Sequence, residues 1–203
     1  MKIICIGLNY KSHIEELNKE IPVQPVFFLK PETALTLRNR PFFYPEFSNN
    51  IHYEVELVFR INKLGKHIQK KFAHTYYSEI GLGLDMTARD IQAEVFKNAL
   101  PWEISKAFDG SAVVHRFLPK TNFDTLQNIN FSLYKNKQLV QQGNTADMLF
   151  QIDDIIEYVS KFITLKIGDL IFTGTPCGIG GVAIGDELEG YIEEELMFRC
   201  RIK

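Results

Sequence analysis

The stretch Ser48–Lys63, SNNIHYEVELVFRINK, alternates with unusual regularity. Ile51, Tyr53, Val55, Leu57, Phe59 and Ile61 share one parity, and His52, Glu54, Glu56, Val58 and Arg60 share the other. Successive side chains of a strand point to opposite faces, so this segment is a strand whose first set faces a core. The second set poses the problem, because Glu54 and Glu56 then lie side by side on one face. A solvated outer face of an antiparallel sheet would accommodate them. Alternatively, a hard divalent cation would neutralise them, and that needs a third oxygen ligand from elsewhere in the chain.

The chain has 203 residues, a formal net charge of -2, 45% hydrophobic and 12% aromatic residues, enough for one domain with a substantial core. A near-neutral balance without long basic runs excludes nucleic acid and anionic membranes as expected partners. Cys5, Cys177 and Cys200 form no CxxC pair, so neither a zinc site nor a disulfide framework is expected. The opening MKIICIGLNYKSH is too short in its apolar run for a signal peptide, and no segment approaches the roughly 20 apolar residues of a membrane span. The expected location is the cytoplasm.

Around the central strand the order is mixed. KIICIG (2–7) and VFFLK (26–30) read as strands, the second stopped by Pro31, and 31–50 as a long irregular connection. KKFAHTYYSEI (70–80) has helical spacing at Phe72, Tyr76 and Ile80. GLGLDMT (81–87) reads as a strand, and ARDIQAEVFKNAL (88–100) as a helix ending before Pro101. FSLYKNKQLVQQG (131–143) reads as a hairpin turning at KNK. The segment 145–163 is the clearest helix, with Met148, Ile152, Ile155, Ile156 and Val159 on one face. GDLIFTGTP (168–176) enters a glycine-rich loop, and 187–203 closes as a hairpin. Together these describe a β-rich α+β domain.

The glycine-rich loop lacks the helix and distant acidic residue of a dinucleotide fingerprint. Its amides, with the hydroxyl of Thr173 or Thr175, suit a small anion instead. Asp85, at a strand-to-helix junction, is either a helix cap or the third oxygen ligand. Arg89 either forks onto a carboxylate or pairs with Asp90 or Glu94. His13 and Glu16 are three apart and so are neighbours on a helical turn; a carboxylate-held histidine activates water or shuttles protons, but a surface pair has the same spacing. Lys106 and Lys30, among apolar neighbours, are either half-buried beside negative charge or ordinary exposed lysines.

The motifs GLNYKSH, PVFFLKPETAL, IHYEVELVFRI, GLDMTARDIQ, WEISKAFDGSA, GNTADMLFQIDDIIEYVS and GDLIFTGTPCGIGGVAIGDELEG occur in this order along nearly the whole chain. In them the sequence resembles the fumarylacetoacetate hydrolase family, in its short single-domain form. The resemblance implies a β-rich roll of mixed sheets with flanking short helices, one catalytic domain over 1–203 with a lid around 14–24, and a homodimer. It implies Mg2+ or Mn2+ on Glu54, Glu56 and Asp85, catalytic roles for His13, Glu16 and Lys106, and substrate contacts from Lys30, Arg89, Gln92 and Thr175. The expected substrate is a small anionic 2-oxo acid. The leading expectation is metal-dependent hydrolysis of an acylpyruvate to pyruvate and a carboxylic acid, because the dyad suits water activation. The alternatives are oxaloacetate decarboxylation and tautomerisation of the 2-hydroxyhepta-2,4-diene-1,7-dioate isomerase type.

Overall fold

The computed structural model describes residues 1–36 and 40–203. Part of the long connection expected at 31–50, namely 37–39, lies outside the described residues. The chain begins with β1 (Lys2–Gly7), α1 (Lys11–Glu16), β2 (Val26–Pro31), β3 (Leu35–Thr36), β4 (Ile51–Tyr53) and β5 (Val55–Ile61). It continues through α2 (Lys70–Ala73), β6 (Tyr77–Asp85), β7 (Thr87–Ala88), α3 (Arg89–Lys97), α4 (Glu103–Lys106) and β8 (Ala112–Pro119). The last part comprises β9 (Asn130–Lys135), β10 (Gln138–Asn144), α5 (Ile152–Val159), β11 (Leu170–Phe172), β12 (Gly180–Gly181), β13 (Glu187–Ile192) and β14 (Glu195–Arg201).

The main sheet has seven strands in the order β2-β1-β11-β5-β6-β8-β3, with β1–β11 and β3–β8 parallel and the other pairs antiparallel. A four-stranded antiparallel sheet, β10-β9-β13-β14, and a three-stranded one, β12-β4-β7, complete an α+β fold of mixed sheets with short helices. Among the described residues no helix is long and apolar enough to cross a membrane.

The central strand is buried on both faces, which overturns the wet-face reading. Leu57, Phe59 and Ile61 belong to the large core with Phe131, Leu133, Leu188 and Phe198 of the four-stranded sheet. Val58, of the opposite parity, packs in a second cluster with Ile3, Cys5, Val114, Leu170 and Phe172. Strands in the middle of a sheet covered on both sides carry apolar residues at both parities, and here the polar exceptions are the two glutamates.

Two expected helices are shorter than their spacing suggested. α2 spans four residues, and Tyr77 already enters β6, where Ile80 pairs with Phe59. A four-residue repeat therefore straddled a helical turn and a strand. The helix expected at 145–163 is a short 3-10 turn at 145–147, then α5 alone. The Gln151 backbone N–H donates to Asp154 Oδ2 at 3.3 Å, and Gln151 Nε2 donates to the Thr145 carbonyl at 2.7 Å, so local capping starts the helix late.

β6 passes between β5 and β8 at a point where only glycine fits. A Cβ on Gly83 would lie 2.7 Å from the Val113 carbonyl oxygen and 2.8 Å from the Phe172 ring. Gly83→Ala is therefore expected to lower stability by about 1–3 kcal/mol, the usual cost of overpacking. Urea melts of the two proteins would measure it, and equal midpoints would refute the tight crossing.

Candidate metal and acid–base centre

Backbone pairing builds the carboxylate cluster. Val55 is opposite Leu84 and Glu56 opposite Gly83, while Asp85 N–H donates to the Glu54 carbonyl at 2.9 Å. This register places Glu54, Glu56 and Asp85 together, with one ligand atom from each within 4.8 Å of the others. They are 5%, 2% and 1% exposed.

Three cations converge on them from other elements. Lys106 Nζ, at the end of α4, lies 2.7 Å from Glu54 Oε2 and 2.9 Å from Asp85 Oδ2, and also donates to Thr87 Oγ1 at 2.6 Å. Lys30 Nζ, on β2, is 2.7 Å from Asp85 Oδ1 and holds the Ser111 carbonyl and hydroxyl at 3.0 Å each. Lys30 is fully buried and supports Asp85 from outside the lining of the cavity. Arg89, opening α3, donates to both Glu54 Oε1 and Gln92 Oε1. The Arg89 fork thus spans a carboxylate of the site and Gln92 of its own helix, rather than pairing with Asp90 or Glu94.

Electrostatics divides the carboxylates. Burial alone would raise the Glu54 pKa, but Lys106 and Arg89 outweigh it and hold the group below the ordinary carboxylate range. Burial likewise disfavours a charged Lys106, yet Asp85 and Glu54 keep its pKa raised. Glu56 differs: burial, then Asp85 and Glu54, push it well above its ordinary value of 4.5, and its polar partner is the Gly174 N–H at 2.7 Å. Three buried carboxylates with one ligand atom each within 4.8 Å of the others, Glu56 among them short of positive charge, fit a hard divalent cation such as Mg2+ or Mn2+. Glu54, Glu56 and Asp85 are the residues that would hold it.

His13 lies on α1 with Nδ1 3.0 Å from Glu16 Oε2, and Glu16 Oε1 accepts from Gly178 N–H at 3.0 Å. A carboxylate only accepts, so the Nδ1 proton points to Glu16 and Nε2 carries the lone pair. His13, Glu54, Glu56, Asp85, Arg89, Gln92, Lys106 and Thr175 all line one cavity of about 740 Å3, whose apolar wall includes Val26, Phe28, Phe96 and Trp102. Phe28 and Phe96 pack on Trp102 with ring centroids 5.7 and 5.0 Å away.

Several supporting residues gave no warning in the sequence. Gly174 has φ +95°, and a Cβ there would meet Asn9 Cβ at 2.8 Å, so only glycine lets this loop bring its amide to Glu56. Asn9, fully buried, holds the loop by donating to the Thr173 carbonyl at 2.7 Å. Asp90 ties the entry to β4 onto α3, accepting from Ser48 Oγ at 2.6 Å and from the N–H groups of Asn49 and Ile91 at 2.9 Å.

A profile of the family described as "Fumarylacetoacetate (FAA) hydrolase C-terminal" matches residues 2–202. The chain is 41% identical over 201 residues to "Oxaloacetate tautomerase FAHD1, mitochondrial" of Mus musculus, covering 99% of this chain and 91% of that protein. It is 42% identical over 188 residues to "Oxaloacetate tautomerase YcgM" of Escherichia coli (strain K12), covering 92% and 86%. A crystal structure of fumarylpyruvate hydrolase from Pseudomonas aeruginosa, in complex with Mn2+ and pyruvate, superposes with a TM-score of 0.94 at 32% identity, over 100% of this chain and 89% of that one.

Two outcomes are expected. Glu56→Gln should weaken Mn2+ binding about tenfold or more in titration calorimetry, and unchanged affinity would remove Glu56 from the ligand set. Asp90 is held below its ordinary 3.8: burial is the largest single influence and raises it, but the bonds from Ser48, Asn49 and Ile91 together outweigh it. Its depressed pKa means it stabilises the fold above pH 3.8, and this is lost as pH falls through the lower folded value. Asp90→Asn should therefore lower the urea midpoint at pH 7, with the difference closing in acid; a gap independent of pH would argue otherwise.

Proposed function

Because the chain belongs to the fumarylacetoacetate hydrolase family, we propose that it is a metal-dependent enzyme of oxaloacetate that interconverts the enol and keto forms. The observation that carries this reading is the pairing of a buried three-carboxylate cluster with the His13–Glu16 dyad on one cavity. Relatives named for oxaloacetate tautomerisation favour it over the acylpyruvate hydrolysis that the dyad alone suggested first.

A divalent cation bound by Glu54, Glu56 and Asp85 supplies Lewis-acid stabilisation of negative charge on the oxygens of a 2-oxo acid. The protein groups do the rest. Lys106 adds fixed positive charge in a buried setting, where it acts without reorganisation. Arg89, Gln92 and Thr175 orient the acid, and Lys30 keeps Asp85 in place. His13 Nε2 takes the proton from C3 of the keto form, leaving the enolate, and delivers that same proton to the C2 oxygen, so that the enol forms and the imidazole returns to its neutral state; the reverse steps return the keto acid. Glu16 holds the imidazole in the tautomer that makes Nε2 the base and stabilises it when it is protonated.

A second reading rests on the same dyad. If His13 deprotonates a water beside a 2,4-dioxo acid, attack at the 4-keto carbon cleaves the C3–C4 bond to pyruvate and a carboxylic acid. The two are separated by following enol oxaloacetate and acetylpyruvate side by side with Mg2+ and an EDTA control. Rapid loss of the enol absorbance, with no pyruvate released from acetylpyruvate, is the expected result. Fast cleavage of acetylpyruvate with slow tautomerisation would make the protein a hydrolase, and indifference to EDTA would sink the metal centre.

In either reading, His13→Ala is expected to lower kcat by about 10²–10⁴-fold, the usual share of a general base. Mn2+ affinity should not change. A variant that keeps the parental rate would remove His13 from the chemistry.

A further inference from the structure

Gln141 lies on β10, in the four-stranded sheet, yet its side chain serves the site. The register of β10 against β9 shifts between Leu139 and Gln141, leaving a bulge there. Such a bulge re-aims the side chain beside it, and Gln141 is buried at 2% exposure. Its Oε1 accepts from Val55 N–H at 2.9 Å, between the two glutamates, and its Nε2 donates to Thr175 Oγ1 and to the Pro176 carbonyl at 2.9 Å each.

The chemistry of the partners sets the direction of every bond. A backbone N–H only donates and a carbonyl only accepts, so Oε1 must face Val55 and Nε2 must face Pro176. The second Nε2 proton then points at Thr175, whose oxygen must accept it. A hydroxyl that accepts still owns one proton. Among the described residues no protein acceptor bonds that proton, and Thr175 lines the cavity beside Glu54, Glu56 and Asp85.

We propose that Gln141 is a positioning residue that orients the Thr175 hydroxyl as a donor into the cavity, where it binds a carboxylate or keto oxygen of the 2-oxo acid. This rests on the reading of the cavity as a 2-oxo acid site. Through the Val55 and Pro176 bonds the same amide keeps the donor in register with the carboxylate cluster. Thr175 therefore favours an acceptor oxygen in the ligand: Gln141 occupies one of its two lone pairs and leaves the hydroxyl proton for the cavity.

The test is a double-mutant cycle read by calorimetry, with oxalate as the probe on Mn2+-loaded protein, together with Mn2+ affinity alone and the thermal midpoint. Gln141→Met removes the donor and adds no charge. It should weaken oxalate about five- to tenfold, as losing one well-placed hydrogen bond does, with Mn2+ affinity unchanged. In the Thr175→Val background the same change should cost less than about twofold, because the group it acts through is gone. If Gln141→Met does not fold, Gln141→Glu keeps the Val55 acceptor and replaces the donor. Its loss of oxalate affinity should be larger with Thr175 present than in the Thr175→Val background. Equal losses in both backgrounds, no loss at all, or a parallel fall in Mn2+ affinity would overturn the positioning role. Parental protein that does not bind oxalate would overturn the reading of the site, and the proposal with it.

Discussion

Three carboxylates buried within reach of one another repel strongly, because little water remains to screen them. The pairing of β5 with β6 imposes this arrangement, and much of the surrounding structure compensates for it. α4 delivers Lys106, β2 delivers Lys30, α3 delivers Arg89, and the turn after β11 delivers the Gly174 amide. Each comes from a different part of the chain, so the elements that shape the cavity are also those that make its charge tolerable. Lys106 bridges two of the acids, and Arg89 clamps one of them to Gln92. Lys106 and Arg89, which balance the charge, also line the cavity.

Much of this was legible in the sequence where the cause was local. The strict alternation of 51–61 announced a strand, and the three-residue spacing of His13 and Glu16 placed them on one helical turn, where α1 holds them. The KNK hairpin forms at Asn136 and Lys137, both in the left-handed region at φ 51° and 68°. Reading failed where the cause was distant. Alternation could not reveal that a second cluster covers the Glu54 face, since Ile3 and Leu170 lie far away in sequence. Periodicity at Phe72, Tyr76 and Ile80 was real, but β6 claims Ile80 through its pairing with Phe59. Gln141 carries no local signal, for its partner Val55 is 86 residues away. The family resemblance supplied the metal triad; the residues that orient it emerge from hydrogen bonds alone.

The cavity combines two unlike surfaces. Its charged lining suits the small oxygen-rich head of a 2-oxo acid, whereas Val26, Phe28, Phe96 and Trp102 are indifferent to what such a head carries beyond C3. The proposed roles of the dyad and of the cationic surroundings would serve tautomerisation and carbon–carbon cleavage alike, the two differing in whether His13 acts on a carbon acid or on water. The chain is similar to proteins named for both kinds of reaction.

The parallel pairing of β1 with β11 has a consequence in time as well as space. Lys2 bonds to Asp169, 167 residues further along, and Ile3 to Cys5 lie against Leu170 to Phe172. During synthesis β1 emerges long before β11, the neighbour that joins it to the centre of the sheet. The closure entropy of so long a loop is repaid only when β11 arrives. Thr175 and Gly174 follow β11 immediately, so the Gly174 amide can reach Glu56 only once β11 has been made. Until β11 arrives, the edge of β1 that it covers carries unpaired backbone groups, the kind of edge with which other chains can pair.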